Sequence, residues 1–329
     1  MTKTTLFLHY YPRVAPRSDF EEIAARIHGR TSDISVKVLA TDRPHPSSVL
    51  QAAMRPAISV EFNRAKMFPL LRGWAFRQWR KSAKSIQYRD LDRSGVPVPK
   101  WAMIAPDTDY DPAEWGEHVI EKPDRGGKGA YVRIKRTKRI RYRDADALEE
   151  DNPGRNGGML IQRLVCTGDW PVSYRVTTLF GTPLIALRYE GVRGRLYQDA
   201  ISDKRKLVGP AAVATGKGAK ITTDQDAEIL DLARRTHQAL PGVPVLGTDI
   251  VRDVTDGSLW VLEVNPDGNC WPFGSPPGIE LMASTGIDLY AQLNGLDRAA
   301  DALIDVCRKT ALKRQPDREA ARQVQAQRQ

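Results

Sequence analysis

The chain has 329 residues, 41% of them apolar, and its 50 Lys and Arg outweigh 40 Asp and Glu to give a formal net charge of +10. That length exceeds the usual single-domain size and predicts two or three core-forming lobes, while the charge favours anionic partners: nucleotide, acidic peptide or nucleic acid. Cys166, Cys270 and Cys307 and the five histidines show no paired or clustered spacing, which argues against a disulfide framework, a structural zinc or a His-based metal site and for a reducing cytoplasm.

The N-terminus lacks the apolar core and cleavage site of a signal peptide, and no apolar run reaches bilayer-spanning length. Thr5 to His9 instead reads as a buried strand. Ser18-Asp19 offers an N-cap to a helix whose apolar positions 20, 23, 24 and 27 share one face. Ile34 to Ala40 alternates as a second strand, stopped by Pro44 and Pro46. This first stretch has no Gly-rich nucleotide fingerprint. Residues 63–94 are basic and carry Phe68, Leu71, Trp74, Phe76 and Trp79, read as an amphipathic helix packed on a core and ended by Gly95-Val-Pro-Val-Pro.

Residues 118–134 read as two strands about a Gly-rich turn, and 158–165 as a buried strand. The basic run Arg133, Lys135, Arg136, Lys138, Arg139, Arg141, Arg143 reads as a solvated hairpin, with docking of an acidic macromolecule as the alternative. Val172 to Leu179 and Leu184 to Tyr189 form a hairpin about Gly181-Thr182-Pro183. Residues 224–240 form an amphipathic helix. Two strands follow, one ending near Asp249 and one at Glu263, joined by a hairpin turn at 253–257. Helices fill 278–312, and the Gln- and Arg-rich tail from Arg314 is a frayed helix or disordered.

Two stretches carry chemistry. Glu263 and Asn265 are two apart on a strand and so share a face, with Asp249 opposite across the pair. Three hard oxygens suit Mg²⁺, which completes its octahedron with water and phosphates. The second stretch is Lys122-Pro-Asp-Arg-Gly126-Gly127-Lys128-Gly129. A strand delivers Lys122, and the glycines let backbone N–H groups fold over phosphate oxygens. Each alone is weak, because acidic strand ends and Gly-rich turns are common.

Their order is more telling. A helical Lys84 precedes Gly95-Val-Pro-Val-Pro. Lys122 and the Gly-rich turn follow, then Gln162-Arg163-Leu164-Val165, Asp169, the hairpin arginines Arg175 and Arg188, and finally Asp249 with Glu263-Val-Asn265. That order resembles the ATP-grasp superfamily over roughly residues 80–275. Within it, the chain is similar to carboxylate–amine ligases such as the ribosomal-protein glutamate ligases and glutathione synthetase-like enzymes. The resemblance implies an α/β (α+β) ATP-grasp fold, two α+β lobes gripping ATP behind a small α/β pre-ATP-grasp lobe. The corresponding boundaries are 1–80 for that first lobe, 81–165 for the small lobe with its flap, 166–312 for the large lobe with the Mg²⁺ site, and 313–329 for the tail.

The resemblance also implies roles. Lys84 and Lys122 neutralise nucleotide phosphates, and Gly126, Gly127 and Gly129 with Lys128 close over them. Gln162, Arg163 and Leu164 meet adenine, and Asp169 is a ribose contact. Asp249, Glu263 and Asn265 hold one or two Mg²⁺, while Arg175 and Arg188 face the transferred phosphoryl and the substrate carboxylate. The implied cofactors are ATP and Mg²⁺. The implied reaction activates a carboxylate as an acylphosphate and joins it to an amine, and a small-molecule kinase is the alternative on the same nucleotide site. The substrates are a small-molecule or peptide carboxylate, anionic in character, and an amine. Nucleic acid is the less favoured partner, no membrane is implied, and a homodimer is common among relatives. Two departures bear on the substrate: Arg163 replaces an acidic hinge residue, and Gly191-Val-Arg193-Gly-Arg195 lacks the Arg-x-Asn pattern of those ligases. Arg193, Arg195 and Lys204 to Lys206 are candidate contacts to an acidic substrate, with an exposed basic loop as the alternative. Cys270 reads as a buried structural cysteine.

Overall fold

Three sheets organise the chain, seen in a computed structural model that describes residues 3–42, 57–63, 73–79, 82–127, 129–191, 207–208, 219–266 and 271–313. Lys128, Cys270, Arg193, Arg195, Lys204 to Lys206, Phe68, Leu71 and the tail from Arg314 lie outside the described residues.

The first sheet is parallel, in the order β2-β1-β3-β4. Its strands are β1 (Thr4–Tyr10), β2 (Ile34–Ala40), β3 (Ala57–Glu61) and β4 (Gly73–Phe76). The apolar run Leu6-Phe7-Leu8 is wholly buried, as suits a parallel strand covered on both faces. Helix α1 (Arg17–Arg30) turns Phe20, Ile23, Ala24 and Ile27 inward. Its cap position is Pro16, not Ser18. Asp19 is instead buried, and its carboxylate accepts from Trp271 Nε1 at 2.8 Å, the Gly274 amide at 3.0 Å and the Tyr290 hydroxyl at 2.8 Å. Three donors satisfy a charge that would otherwise be expensive to bury. The expected helix over 63–94 is corrected at 73–76, while 64–72 and 80–81 lie outside the described residues. Trp74 and Phe76 lie on β4, where Phe76 meets Phe180 edge-on at 5.0 Å, and a helix runs from Lys84 to Arg93. The β-branched Ile58 and Val60 of β3, the Gly73 start and the two-residue spacing of Trp74 and Phe76 favour pairing to β3 over a helical path.

The second sheet is antiparallel, in the order β11-β7-β6-β8-β5. It comprises β5 (Trp101–Met103), β6 (His118–Pro123), β7 (Arg133–Arg136), β8 (Met159–Arg163) and β11 (Leu207–Val208). Short helix α3 (Pro112–Trp115) and the loops bring Trp115, Ile140 and Leu148 onto Val119, Met159 and Ile161. Three of the seven residues of the basic run are structural, while Arg136, Lys138, Arg139 and Arg141 are exposed. Arg133 pairs with Glu149 at 2.5 Å, and Lys135 and Arg143 both reach the buried Glu121 at 2.6 and 3.4 Å. The Arg133 guanidinium holds the Glu149 carboxyl down at about 2. The carboxylate buried on β6 needs the two cations that reach it.

The third sheet, antiparallel in the order β12-β10-β9-β13-β14, carries the acidic residues. Its strands are β9 (Val172–Leu179), β10 (Thr182–Gly191), β12 (Ala219–Thr223), β13 (Val245–Arg252) and β14 (Leu259–Asn265). Helix α2 (Lys84–Arg93) and helix α4 (Ala227–Gln238) cover one face: Leu91, Ile229, Leu232 and Ala233 pack on Val176, Ala186, Leu246 and Ile250. On the other face Leu179, Ile185, Leu187 and Val245 join a core shared with the first sheet, α1, and helix α6 (Gly295–Lys313). Helix α5 (Pro276–Thr285) lies beside that core. Among the described residues no helix is long and apolar enough to cross a membrane.

Replacing Asp19 with Ala removes three hydrogen bonds to a buried carboxylate and should lower stability by about 3 kcal/mol. The measure is a lower urea midpoint, with Asp19→Asn losing less because its amide oxygen still accepts.

Candidate functional site

Helix α2 starts without a cap from the residue at its own N-cap position, since Ala83 offers no side-chain hydrogen bond. Asp124, just past β6, supplies one. Its carboxylate accepts from the Ser85 amide at 2.7 Å and from Ser85 Oγ at 3.0 Å, and its carbonyl accepts from the Lys84 amide at 2.9 Å. On the opposite side Gln87 Oε1 accepts from the Val264 amide at 3.2 Å, and the Tyr88 hydroxyl donates to the Leu262 carbonyl at 2.7 Å. The helix therefore places Lys84 between the Gly-rich turn and β14. Lys84 Nζ donates to the Gly126 carbonyl at 3.1 Å and stands 3.9 Å from Glu263 Oε1. Gly126 holds φ at +114°, a backbone geometry that other residues rarely adopt.

Lys122 leaves the end of β6 on the same side. Its Nζ donates to Gln162 Oε1 at 2.7 Å and lies 5.3 Å from the Tyr88 ring centroid. Burial, reinforced by the neighbouring Lys84 charge, lowers its pKa to about 7. Two ammonium groups crowded together in a buried pocket favour an anion between them. Burial also pushes the Tyr88 hydroxyl well above its ordinary pKa, and Glu263 adds to that.

The acidic residues form one rung of the third sheet. Glu263 on β14 pairs with Asp249 on β13, Asp249 with Arg175 on β9, and Arg175 with Leu187 on β10. A bulge between Asp249 and Ile250 leaves Leu262 as the extra residue, the same residue whose carbonyl receives Tyr88. Arg175 grips Asp249 with two bonds, Nε to Oδ1 at 2.7 Å and a terminal nitrogen to Oδ2 at 2.8 Å. The Asn265 amide is 3.4 Å from Asp249 Oδ2. Among the described residues no three His, Cys, Asp or Glu side chains gather to hold a metal ion. A divalent cation here would need the Asn265 amide oxygen beside two carboxylates. That all-oxygen donor set fits Mg²⁺, which accepts one or two carboxylates and fills the remaining positions with water and phosphate.

These groups line one cleft of about 1240 Å³ between the second and third sheets. Lys84, Lys122, Gly126, Gly127, Gly129, Gln162, Arg163, Leu164, Arg175, Asp249 and Glu263 all face it. Among the described residues its wall has six cations, Arg13, Lys84, Lys122, Arg125, Arg163 and Arg175, against Asp249, Glu263 and Glu280, a balance that suits a polyanion. Three expected residues are absent from the cleft wall: Arg188, Asp169 and Asn265, whose amide nevertheless reaches Asp249. Arg188 alternates to the opposite face of β10 from Leu187 and Tyr189 and pairs with Glu190 at 2.5 Å. Asp169 is exposed in the loop before β9 and is absent from the cleft wall. Gln162 lines the cleft, but its side-chain oxygen is occupied by Lys122.

Sequence reasoning missed Asp124, Gln87 and Tyr88, which position the lysines, and the cleft-lining Arg13, Tyr189, Ile221 and Leu281. For Asp124 the signal was present: an acidic residue directly after Lys122-Pro123, with a capless helix start upstream.

The model of the ATP-grasp domain family matches residues 81–267, which hold five of the six cleft cations, all but Arg13, together with Asp249 and Glu263. No curated protein matches the sequence. Among solved structures, the chain is similar to the ATP-grasp ligase PsnB in complex with a minimal precursor, at 18% identity and TM-score 0.49, covering 92% of this chain and 99% of that one. The D-cycloserine synthetase DcsG gives 17% identity and TM-score 0.47 over 92% and 99% of the two chains. A D-alanine–D-alanine ligase from Bacillus anthracis gives 13% and 0.42 over 94% and 99%.

Two outcomes follow from this geometry. Free Lys122 loses its proton as pH rises through about 7, whereas a phosphate beside it favours the ammonium form. ADP binding at pH 8 should therefore take up a proton, seen as a dependence of the calorimetric enthalpy on buffer ionisation. Affinity should fall as pH climbs above 7, and Lys122→Met should abolish the uptake. Asp124→Ala leaves the first turn of α2 uncapped and should cost about 2 kcal/mol in urea unfolding while weakening ADP binding; a variant that lost stability alone would mean Asp124 does not position Lys84.

Proposed function

The chain belongs to the ATP-grasp family, and from that premise we propose that it is an ATP-dependent ligase that activates a carboxylate and joins it to an amine. The observation carrying this reading is the rung Glu263–Asp249–Arg175 facing Lys84 and Lys122 across one cleft. It sets oxygen donors for a cation, ammonium groups for phosphates and a bidentate arginine side by side.

Lys84 and Lys122 hold the nucleotide phosphates, and the Gly126, Gly127 and Gly129 backbone, with Lys128, closes over them. Gln162, Arg163 and Leu164 at the end of β8 border the adenine. Asp249, Glu263 and the Asn265 amide oxygen would hold Mg²⁺, which neutralises phosphate charge when bound. Arg175 orients the attacking carboxylate, a planar bidentate task suited to a guanidinium. One carboxylate oxygen attacks the γ-phosphorus and ADP departs with the bridging oxygen. The amine nitrogen then attacks the acyl carbon, phosphate leaves, and the nitrogen sheds a proton. Positioning and electrostatics supply the catalysis, with no nucleophilic side chain. Arg188 and Asp169 receive no role: they stand off the cleft, whereas Asn265, also outside its wall, reaches Asp249.

The same reading divides the chain at 1–80, 81–165, 166–312 and 313–329, takes an anionic carboxylate substrate, and places the enzyme in the cytoplasm, in keeping with Cys166 and Cys307 as free thiols. Self-association as a homodimer is read by light scattering.

The test is ADP and phosphate release in the presence of MgATP with panels of carboxylates and amines. Release should require both, and Glu263→Gln should lower it by roughly 10²- to 10³-fold. AMP and pyrophosphate would overturn the acylphosphate route. A phosphorylated product stable to hydroxylamine would mark a kinase.

A further inference from the structure

The cleft's 1240 Å³ exceeds the roughly 300–1,000 Å³ of a single small-molecule site, and its chemistry changes along its length. The rung that begins with Glu263, Asp249 and Arg175 continues onto β10 as Leu187. The next rung on the same face runs Ser173, Tyr189, Ile221 across β9, β10 and β12. Strands are spaced about 4.8 Å apart, so the apolar part begins roughly one strand beyond Arg175. Leu281 of α5, Val14 of the loop before α1, and Leu289 complete that end of the wall. Tyr189, Ile221 and Leu281 are half-buried and packed on the core shared by the first and third sheets, so each presents a supported side chain to the cleft. Tyr189 is also within electrostatic reach of Arg175 and Asp249, which fixes this region as the direct continuation of the phosphate end. Arg13 and Glu280 are exposed at its rim.

We infer that this end is the substrate subsite and that it takes a carboxylate with an apolar body. The inference rests on the ligase reading above and names the substrate class for it. The carboxylate meets Arg175 beside the γ-phosphate, and the body extends over β10 and β12 against Leu187, Tyr189, Ile221 and Leu281. The wall formed by Leu187, Tyr189, Ile221 and Leu281 carries no charged side chain, so a second carboxylate lying against it would lose water there without an ion-pair partner in that wall, Arg13 standing only at the exposed rim.

Straight-chain monocarboxylates from acetate to octanoate, with hydroxylamine as the amine and MgATP, provide the test. Activated acid is trapped as the hydroxamate and read alongside ADP. kcat/KM should rise roughly fourfold per added methylene, the increment for burying one CH₂, until the subsite is filled. Leu281→Glu should flatten the series, and Ile221→Ala should shallow it, in proteins whose cooperative urea transitions show that they fold. Hydroxamate formed best from succinate, glutarate or other polar acids, or a series of zero slope, would overturn the apolar subsite while leaving the ligase standing. ATP binding with no hydroxamate from any acid would overturn the ligase reading and the subsite with it.

Discussion

The cleft depends on Asp124 and what it holds. That carboxylate fastens the first turn of α2 to the end of β6 through Ser85, while Gln87 and Tyr88 fasten the next turn to β14. One ten-residue helix thus fixes the distance between the second sheet and the acidic rung of the third. Lys84 reaches Gly126 and Glu263 only because the helix is held from both sides. A charge-assisted bond from a carboxylate to helix-start amides is among the stronger hydrogen bonds in a protein, and here it lies between the two structures that must cooperate.

Charge balance follows from the same packing. Asp249 and Glu263 are cross-strand neighbours, an arrangement that is destabilising unless cations compensate. Arg175 answers Asp249 in a bidentate grip, and Lys84 approaches Glu263. Lys122 of the second sheet faces Lys84, and burial with that repulsion brings Lys122 to about 7. The acids and the ammonium groups each leave a local excess that the other relieves only in part. A polyphosphate and its cation add opposite charge to both excesses at once, which makes the charge pattern of the cleft complementary to both.

Much of this was legible in the sequence. Hydrophobic runs and turn signals found the strands at 118–134 and 172–190 and those carrying Asp249 and Glu263, and same-face spacing put Glu263 with Asn265. The helical reading failed at 73–76, where Trp74 and Phe76 stand two apart, a strand spacing, and occupy β4. What makes these four residues a strand is pairing with β3, a long-range contact. Asp19 looked like a helix cap and is a buried acceptor for residues more than 250 positions away. Arg188 was misplaced by order alone: alternation along β10 sends it to the face opposite Leu187. A one-residue step decides the face of a strand, and an arginine near the right place in a motif can still point the wrong way.

The distribution of apolar contact shows how the two walls are joined. Leu91 and Val96 place α2 in the core of the third sheet, and the first sheet shares a second core with that sheet's other face. The second sheet's own core, built on Val119, Ile140 and Ile161, is separate from both. Its ties to α2 run through Asp124, Gly126 and Lys122, with the Tyr88 ring 5.5 Å from that of Trp101 on β5. Lys84 sits on a helix packed with the third sheet and Lys122 on a strand of the second, so an anion held by both lysines bridges the two sheets where their hydrophobic cores are separate.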